Sequence, residues 1–238
     1  GAVEAENHPN LGEDAGAVAG AGVAGVKITS DLREVLRASD AAIDFSFAAA
    51  AVSNARTALE EKCAIVIGIT GLDGEQEDEI RQLGDQGGKI VYAPNMSVGV
   101  NLLFYLSDLV GRTLGDDYDI EVTEAHHNMK KDAPSGTARR LAEILASARG
   151  LDYDKHVAHG REGAVGERPK NEIGVHAIRA GDIVGEHTVM FATTGERIEL
   201  AHKASSRQTF AKGAVRAVKY LMAEGSGVYD MQDVLGLK

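Results

Sequence analysis

The sequence predicts an α/β protein, with a parallel sheet in its first part and a second, α+β domain that begins near residue 119. Short apolar runs alternate with helical patterns over the first hundred residues, and this alternation is typical of βαβ units. The later runs alternate in hydrophobicity and are joined by turn residues, which favours hairpins and a mostly antiparallel sheet.

The elements of the first part follow one another closely. An apolar strand at 26–28 leads into a capped amphipathic helix at 30–36. The apolar run 42–45 is typical of a buried strand, and a helical pattern follows it at 48–61. The same alternation then predicts strands at 63–68 and 89–92, a helix around 75–86, and a helix at 97–114 capped by asparagine or serine.

The second part begins with a strand at 119–123, in which apolar and polar residues alternate, followed by a helix at 137–149. A loop rich in glycine and charge covers 159–170. Three β-like runs and an amphipathic helix complete the chain, at 172–179, 183–192, 196–203 and 207–222. Turn residues at 179–182 and 193–196 predict that the three runs form consecutive hairpins.

A glycine-rich stretch at 19–25 contains the spacing G-x-G-x-x-G, which binds dinucleotides only where it joins a strand to the helix that it opens. Neither element is predicted beside it, so we interpret the stretch as a surface loop. The first residues resemble the end of a strand with Glu4 at its tip. In a doubly wound nucleotide-binding fold such an acid follows the second strand and bonds the ribose. If Glu4 is this acid, we expect the first strand, the phosphate loop and the first helix to lie before residue 1.

Composition argues against several classes of function. The net charge of −11 disfavours a general nucleic-acid or membrane-surface binder, and only 5% of the residues are aromatic. A single cysteine, Cys63, forms no internal disulfide, and its apolar neighbours predict a buried strand residue. No run approaches the ~20 apolar residues of a membrane span and no signal peptide is evident, so we expect a cytoplasmic protein.

The segment 123–138 concentrates most of the reactive chemistry. Pro134 and Ser135 precede a helical pattern and mark a helix start, with Ser135 as its cap. Gly136 and Thr137 then offer unpaired N–H groups at the positive end of the helix dipole. Four groups that are cationic or can become so lie just upstream: His126, His127, Lys130 and Lys131. Together these features predict a site for a small substrate with more than one carboxylate.

Side chains of these types can also move protons. A lysine that faces other cations can serve as a proton donor, and histidine does acid–base work near neutral pH. Three other interpretations stay open on this pattern. A metal site is weaker, because adjacent histidines after a strand point to opposite faces, and a hydrolase is disfavoured because Ser135 lacks a nucleophile elbow. A solvated basic loop is the third.

The same segment resembles the signature of the 4-hydroxy-tetrahydrodipicolinate reductase (dihydrodipicolinate reductase) family, of the diaminopimelate route to lysine. The likeness is most specific at 124–127, Lys130 and 132–138. Further matching stretches, which extend the likeness over nearly the whole chain, are 44–45, 68–71, 93–101, 179–187 and 202–207.

The resemblance implies a Rossmann-like nucleotide-binding domain at 1–97 and 207–238, whose first strand and glycine-rich loop are absent from this sequence. It also implies a substrate-binding domain at 98–206, with an open mixed sheet that assembles a homotetramer. The implied reaction transfers a hydride from NADH or NADPH to an unsaturated cyclic dicarboxylate, with overall loss of water.

The resemblance also implies roles for individual residues. His126 corresponds to the acid/base histidine and Lys130 to the proton-donating lysine. His127, Gly136 and Thr137 correspond to substrate contacts. The implied cofactor contacts are a ribose-binding acid and two loops near the nicotinamide: Glu4, Gly68, Ile69, Thr70, Ala93, Pro94, Asn95 and Met96.

Two positions bear on the choice of cofactor. Ala5 follows Glu4 where some members carry arginine, and Phe47 follows Ser46 in the loop after 44–45. Without a cation at either position a 2′-phosphate gains little, so we predict that NADH is at least as good as NADPH.

Two alternatives remain open from the sequence. One is another amino-acid-pathway dehydrogenase of the same fold, against which the continuous segment 126–137 argues. The other is a ligand-binding tetramer with impaired cofactor binding, suggested by the position of the phosphate loop outside the sequence.

Overall fold

The computed structural model describes all residues from Gly1 to Lys238 and shows two compact units. The first comprises Gly1–Pro94 with Ala214–Val234, and the second comprises Asn95–Gly213 with Leu235–Lys238. The division expected from the sequence, at 97/98 and 206/207, differs from these borders, and the second border of the structure falls inside a long helix. The nucleotide-binding and substrate-binding roles of the two parts stay predictions.

The first unit is built on parallel strands. Its strands are β1 (Ala2–Val3), β2 (Ile28–Thr29), β3 (Ala41–Asp44), β4 (Ala64–Ile67), β5 (Lys89–Tyr92) and β11 (Gly227–Tyr229). Its helices are α1 (Ala15–Val18), α2 (Leu32–Arg37), α3 (Ala48–Glu60) and α4 (Gly74–Asp85), with most of α8 (Gln208–Ala223) and α9 (Met231–Leu235). The main sheet is parallel in the order β11-β5-β4-β3, and β1 and β2 form a separate parallel pair. The predicted parallel sheet is therefore confirmed.

The core of the first unit lies around β4. Every residue of β4 is buried, as expected for a central parallel strand with apolar side chains on both faces. Ala55 and Ala58 of α3 belong to the same cluster as Ile65 and Ile67 of β4, so the small alanine side chains let α3 pack closely on the sheet. Cys63 directly precedes β4 and is buried as predicted, and this burial raises the pKa of its thiol.

Residues 19–25 belong to no helix or strand, in agreement with the loop that the sequence predicts. The Asp14 carboxylate anchors this loop by accepting hydrogen bonds from the amides of Ala24 and Gly25, at 2.9 and 2.7 Å. Asp14 also caps the short helix α1, which is not predictable from the sequence because four residues are too few to show a helical period.

The second unit has helices packed on one face of a mixed sheet. Its strands are β6 (Asp119–His126), β7 (Val157–His159), β8 (Ile173–Arg179), β9 (Gly185–Thr193) and β10 (Glu196–Ala204), in the order β10-β9-β6-β8-β7. β8 runs parallel to β6 and β7, whereas β9 is antiparallel to β6 and β10. The helices are α5 (Val98–Leu114), α6 (Gly136–Ala148) and α7 (Tyr153–His156). The open mixed sheet that the resemblance implies is confirmed. The mostly antiparallel sheet predicted from the turn residues is wrong, because two of the four strand pairings are parallel.

Buried side chains of α5 and α6 form one apolar core with the inner face of this sheet. The core includes Leu103 of α5, Leu141 and Leu145 of α6, Val122 of β6 and Phe191 of β9. No helix of the chain combines the length and the apolar character that a membrane crossing requires.

The connection at 179–182 is not the hairpin that the sequence predicts. β6 lies between β8 and β9, so the chain passes from one neighbour of β6 to the other. The turn packs on the end of β6: the Ala180 amide donates to the His126 carbonyl at 2.9 Å, and the Asn128 amide donates to the Gly181 carbonyl at 3.1 Å. Turn residues indicate that the chain reverses, but they do not reveal that a third strand occupies the space between the two that they join.

The turn at 193–196 is the predicted hairpin between β9 and β10. Thr193 pairs with Glu196 across a two-residue loop. Gly195 in this loop has φ +94°, a conformation that glycine adopts without steric cost.

Glu121 of β6 anchors the long loop between β7 and β8 from the open face of the sheet. Its carboxylate accepts hydrogen bonds from Arg161 at 2.6 Å, Arg168 at 2.9 Å and His176 at 2.7 Å. A side chain at Gly174 would overlap this carboxylate, so the glycine leaves the space that Glu121 occupies. Burial raises the pKa of Glu121, but the three donors outweigh burial and hold the pKa at about 2.

Because its pKa is depressed by folding, Glu121 should contribute stability above its ordinary pKa of 4.5 and lose that contribution as the pH falls toward about 2. We expect Glu121→Gln to lower the free energy of unfolding at pH 7 by roughly 2–4 kcal/mol and to flatten its decline below pH 4.5. Urea denaturation at a series of pH values measures both effects. Glu199→Gln, which breaks an exposed pair with Arg197, is the control and should cost less than about 1 kcal/mol. Parallel pH profiles for the wild type and Glu121→Gln would contradict the assignment.

Candidate active site

The residues predicted to carry the chemistry lie where β6 ends and α6 begins. β6 continues beyond the predicted strand to His126, and its alternate side chains Ile120, Val122 and Glu124 are buried. Glu124 is 0% exposed, so a carboxylate occupies a position that the period of the strand assigns to an apolar residue. A buried charge of this kind requires partners.

Three residues supply hydrogen-bond donors to the Glu124 carboxylate. Nδ1 of His126 lies 2.6 Å from Oε2, and because a carboxylate only accepts, Nδ1 carries the hydrogen. The Ser135 amide donates to Oε1 at 2.9 Å. Arg179 donates from both terminal nitrogens, at 2.8 Å to each carboxylate oxygen. One buried carboxylate therefore joins the ends of β6 and β8 to the start of α6.

These donors keep Glu124 ionised inside the protein. Burial raises the pKa of Glu124, but the hydrogen bonds from Arg179, His126 and the Ser135 amide outweigh it and leave the pKa below its usual value. The hydrogen bonds to Glu124 also raise the pKa of Arg179. The pair is therefore charged at neutral pH, and bidentate geometry is the strongest form of such a contact.

Lys130 lies in the loop between β6 and α6, with 20% of its side chain exposed. Its Nζ lies 2.8 Å from a carboxylate oxygen of Asp132, whose side chain is 60% exposed. An ion pair with so exposed a partner contributes only about 0–1 kcal/mol, so a substrate carboxylate can take the place of Asp132. Glu124 and its donors His126, Ser135 and Arg179 are called the Glu124 cluster below. Arg179 also donates to the Asp132 carbonyl at 2.7 Å, which ties this loop to the cluster.

The start of α6 is an open anion site. Ser135 caps the helix, as predicted, because its Oγ accepts from the Ala138 amide at 3.1 Å. The Gly136 and Thr137 amides donate to no acceptor in the protein, and a Cβ at Gly136 would meet nothing within 4 Å. The nearby Glu124 carboxylate binds the Ser135 amide and leaves the next two free. Free amides at a helix start attract anions.

A hydrogen bond joins a predicted substrate contact to a predicted cofactor contact within the second unit. The Asn95 side-chain amide donates to Oγ1 of Thr137 at 3.1 Å. Asn95 is itself held in place, since its side-chain oxygen accepts from the Ser97 amide at 2.9 Å and its carbonyl accepts from Asn101 at 2.7 Å. The position of Thr137 therefore depends on the loop that leads into α5.

Three imidazoles of the second unit have a buried Nδ1 without a partner: His127, His187 and His202. The His187 ring packs edge-on against that of His126, with 5.2 Å between centroids, and its Nε2 lies 3.1 Å from Ser135 Oγ. Burial, together with the charge of nearby His126, lowers the pKa of His187 to about 3. His187 is therefore uncharged at physiological pH, and its ring lines the site beside His126.

Most of the predicted cofactor contacts lie in the first unit, beside the carboxyl ends of its parallel strands. Glu4 is exposed directly after β1 and makes no ion pair, and its amide donates to the Thr29 carbonyl at 3.0 Å. Residues 68–70 follow β4, and 93–94 follow β5. Open α/β sheets bind ligands at this edge, and a free carboxylate suits ribose hydroxyls. The residues present therefore fit a nicotinamide nucleotide.

Three of these predicted contacts are buried. Ile69 is 5% exposed, Ala93 is 3% exposed and Met96 is 1% exposed. Their side chains therefore pack inside the protein, and only their backbone groups are left for the predicted contacts.

Sequence reasoning assigned no role to Glu124, Arg179 or His187. A signal existed for Glu124, because extending the strand pattern of Ile120 and Val122 by one step places a carboxylate in the core. No local signal pointed to Arg179, whose partner lies 55 positions earlier in the chain.

The chain matches two family models, described as "Dihydrodipicolinate reductase, N-terminus" over residues 1–96 and "Dihydrodipicolinate reductase, C-terminus" over residues 99–235. It is 50% identical over 238 residues to the 4-hydroxy-tetrahydrodipicolinate reductase of Syntrophus aciditrophicus (strain SB), covering 100% of this chain and 88% of that relative. The enzyme of the same name from Hahella chejuensis (strain KCTC 2396) is 54% identical over 228 residues, covering 96% of this chain and 85% of that one.

Among solved structures, the chain is similar to a dipicolinate-bound dihydrodipicolinate reductase from Paenisporosarcina sp. TG-14. The TM-score is 0.74 at 23% identity, covering 98% of this chain and 88% of that chain. At this level of identity the likeness supports the fold.

Proposed function

The chain belongs to the dihydrodipicolinate reductase family, and we propose that it reduces 4-hydroxy-tetrahydrodipicolinate to tetrahydrodipicolinate with overall loss of water. It is a pyridine-nucleotide-dependent oxidoreductase of lysine biosynthesis through diaminopimelate. The membership removes the alternative of another amino-acid-pathway dehydrogenase. The observation that carries the proposed chemistry is the pair of free amides of Gly136 and Thr137 beside a loop with cationic side chains.

The substrate is a ring with two carboxylates, and the site offers donors of matching charge. The Gly136 and Thr137 amides bind one carboxylate at the positive end of α6. His127 contributes Nε2 of its ring, because its Nδ1 is buried. Lys130 neutralises charge by exchanging its exposed partner Asp132 for a substrate oxygen.

Reduction of the ring requires one hydride and one proton, and a bound nicotinamide nucleotide supplies the hydride. Lys130 donates the proton, in relay with His126. Because Nδ1 of His126 is committed to Glu124, the ring exchanges protons through Nε2. The ribose-binding acid is Glu4, and the loops 68–70 and 93–96 contribute the remaining nucleotide contacts.

The absorbance of the reduced nicotinamide tests this function directly. Mixing the full-length protein with the substrate and NADH should lower that absorbance. Binding of dipicolinate without any oxidation of NADH or NADPH would favour the ligand-binding alternative instead.

We predict that NADH is at least as good a cofactor as NADPH, because position 5, next to Glu4, holds an exposed alanine and Phe47 is 76% exposed without a cation beside it in sequence. Ala5→Arg should raise the ratio of kcat/KM for NADPH to that for NADH by about 10-fold, since guanidinium binds a 2′-phosphate. Ala5→Gln, of similar length but without charge, is the control and should leave the ratio unchanged. A strong preference of the wild type for NADPH would contradict the prediction.

We also infer a homotetramer that assembles through the open face of the mixed sheet. The helices cover only the opposite face, and the open face presents Thr123, Met190 and the exposed Ile178. Light scattering measures the assembly, and a mass near the 25.1 kDa of one chain would contradict it.

A further inference from the structure

Glu124 and Arg179 form a charged pair that the proposed reaction does not use directly. Glu124 is 0% exposed, and 20% of the Arg179 side chain is exposed. Ionised groups in an apolar core cost stability unless every partner is in place, and a pair of apolar residues often serves the fold as well. The location of this pair, in contact with His126 and with the start of α6, suggests a role in the chemistry.

We propose that Glu124 is a positioning residue of the reduction, whose buried carboxylate fixes the tautomer of His126 and holds that ring at a set place beside the anion-binding start of α6. This inference rests on the proposed function. It assigns to Glu124 no contact with substrate or cofactor: Glu124 acts through His126 and Ser135.

The groups around its two ring nitrogens determine the tautomer of His126. Nδ1 of His126 faces a carboxylate oxygen at 2.6 Å and must carry hydrogen there. Nε2 accepts no hydrogen bond from the protein and lies against Gly185, where a Cβ would stand 3.1 Å away. Nε2 is therefore the nitrogen that is available to take up or release a proton. Loss of the carboxylate would allow the opposite tautomer, in which that nitrogen is already protonated in the neutral ring.

The same carboxylate sets the place of the carboxylate-binding groups. Its second oxygen accepts from the Ser135 amide at 2.9 Å, so His126 and the helix start are held by the two oxygens of one side chain. Arg179 extends the cluster by donating to the Asp132 carbonyl, and the Asp132 side chain contacts Lys130. Both proton-handling residues are thus linked to Glu124 through named hydrogen bonds.

A neutral amide cannot replace this carboxylate. Glu124 accepts at both oxygens from His126, Ser135 and the two terminal nitrogens of Arg179. A glutamine has one accepting oxygen, and its NH2 group would face donors. If the oxygen stays with the Ser135 amide, the NH2 group meets His126 and Arg179, which favours the tautomer of His126 with hydrogen on Nε2.

Glu124→Gln therefore tests the proposal by separating turnover from binding. We expect kcat to fall by about 100-fold, because a histidine held in the wrong tautomer loses most of its acid–base activity. The affinity for dipicolinate, measured by calorimetry without cofactor, should change by less than about 5-fold, because the amides of α6 remain free.

Glu121→Gln is the matched control. Glu121 lies on the same strand, and it too is bound by arginine and by a histidine, but on the opposite face of the sheet. This variant should lose stability and keep kcat within about 3-fold of the wild type.

The double variant Glu124→Gln/Arg179→Gln shows whether Glu124 acts by positioning His126 or only by balancing the charge of Arg179. It also keeps the proposal testable if the single variant does not fold. Removing both charges should restore thermal stability relative to Glu124→Gln, since no buried charge is left unpaired. Turnover should stay low, because His126 still lacks the carboxylate at Nδ1.

Failure of this inference can be distinguished from failure of the proposed function. A wild type that oxidises no reduced nicotinamide would end the proposed function and this inference with it. With an active wild type, two results would overturn the inference alone: a Glu124→Gln variant with kcat within about 3-fold of the wild type, or recovery of turnover in the double variant.

Discussion

Lys130→Ala should lower kcat by about 10³-fold and leave the fold and the affinity for NADH nearly unchanged. The physical reason is that no other side chain replaces an ammonium group at that place, while the fold loses only a pair with the exposed Asp132 carboxylate. Steady-state kinetics, thermal unfolding and a fluorescence titration with NADH measure the three quantities.

Two matched variants sharpen this prediction. Lys131→Ala removes the adjacent lysine and should change kcat by less than about 3-fold, because Lys131 is exposed and takes part in none of the hydrogen bonds around Glu124. Lys130→Arg keeps the positive charge but releases a proton far less readily, so its turnover should stay close to that of Lys130→Ala. Normal turnover of Lys130→Ala, or an equal loss in both alanine variants, would remove Lys130 from the role of proton donor.

Gly136→Pro should weaken dipicolinate binding by about 10- to 100-fold without destabilising the protein. Gly136 is the first residue of α6, where proline is well tolerated because its missing N–H has no partner in the helix. Ser135 has φ −63° and ψ 154°, the conformation that a residue before proline prefers. The substitution therefore removes one amide donor to a carboxylate and little else, and such a hydrogen bond is worth about 1.5–3 kcal/mol.

The matched control is Gly136→Ala, which keeps the amide. Its Cβ would meet no atom within 4 Å, so the alanine variant should bind dipicolinate nearly as well as the wild type. Calorimetry of the three proteins compares the affinities, and thermal unfolding checks the fold. Equal affinities for the wild type and Gly136→Pro would show that the substrate carboxylate does not use this amide.

The parallel sheet was predictable because each of its main strands is a short apolar run followed by a helix of ordinary length. The pattern was too short to show β11 and α9, which have three and five residues. The strand order of the second unit was not predictable locally, since the insertion of β6 between β8 and β9 depends on contacts across the chain.

The part of the candidate site whose residues are adjacent in the sequence was predictable. Ser135, Gly136 and Thr137 form a helix start that any capping analysis finds. The cluster around Glu124 was not predictable in the same way, because Arg179 approaches from a strand 55 positions away. The only sign of this cluster in the sequence is that Glu124, a charged residue, occupies a position of β6 that faces the core.

The two anchored carboxylates of β6 also bear on how this central strand finds its alignment with its neighbours. Glu121 and Glu124 point to opposite faces of the sheet, and each meets cations from a different segment of the chain. A slip of one residue would exchange the faces, and a slip of two would keep the faces but move each carboxylate away from its cations. Either slip would leave both carboxylates and their arginines without counterions. The two ion-pair clusters therefore favour the native register of β6 during folding. The alternation of apolar side chains alone would also permit a register shifted by two residues.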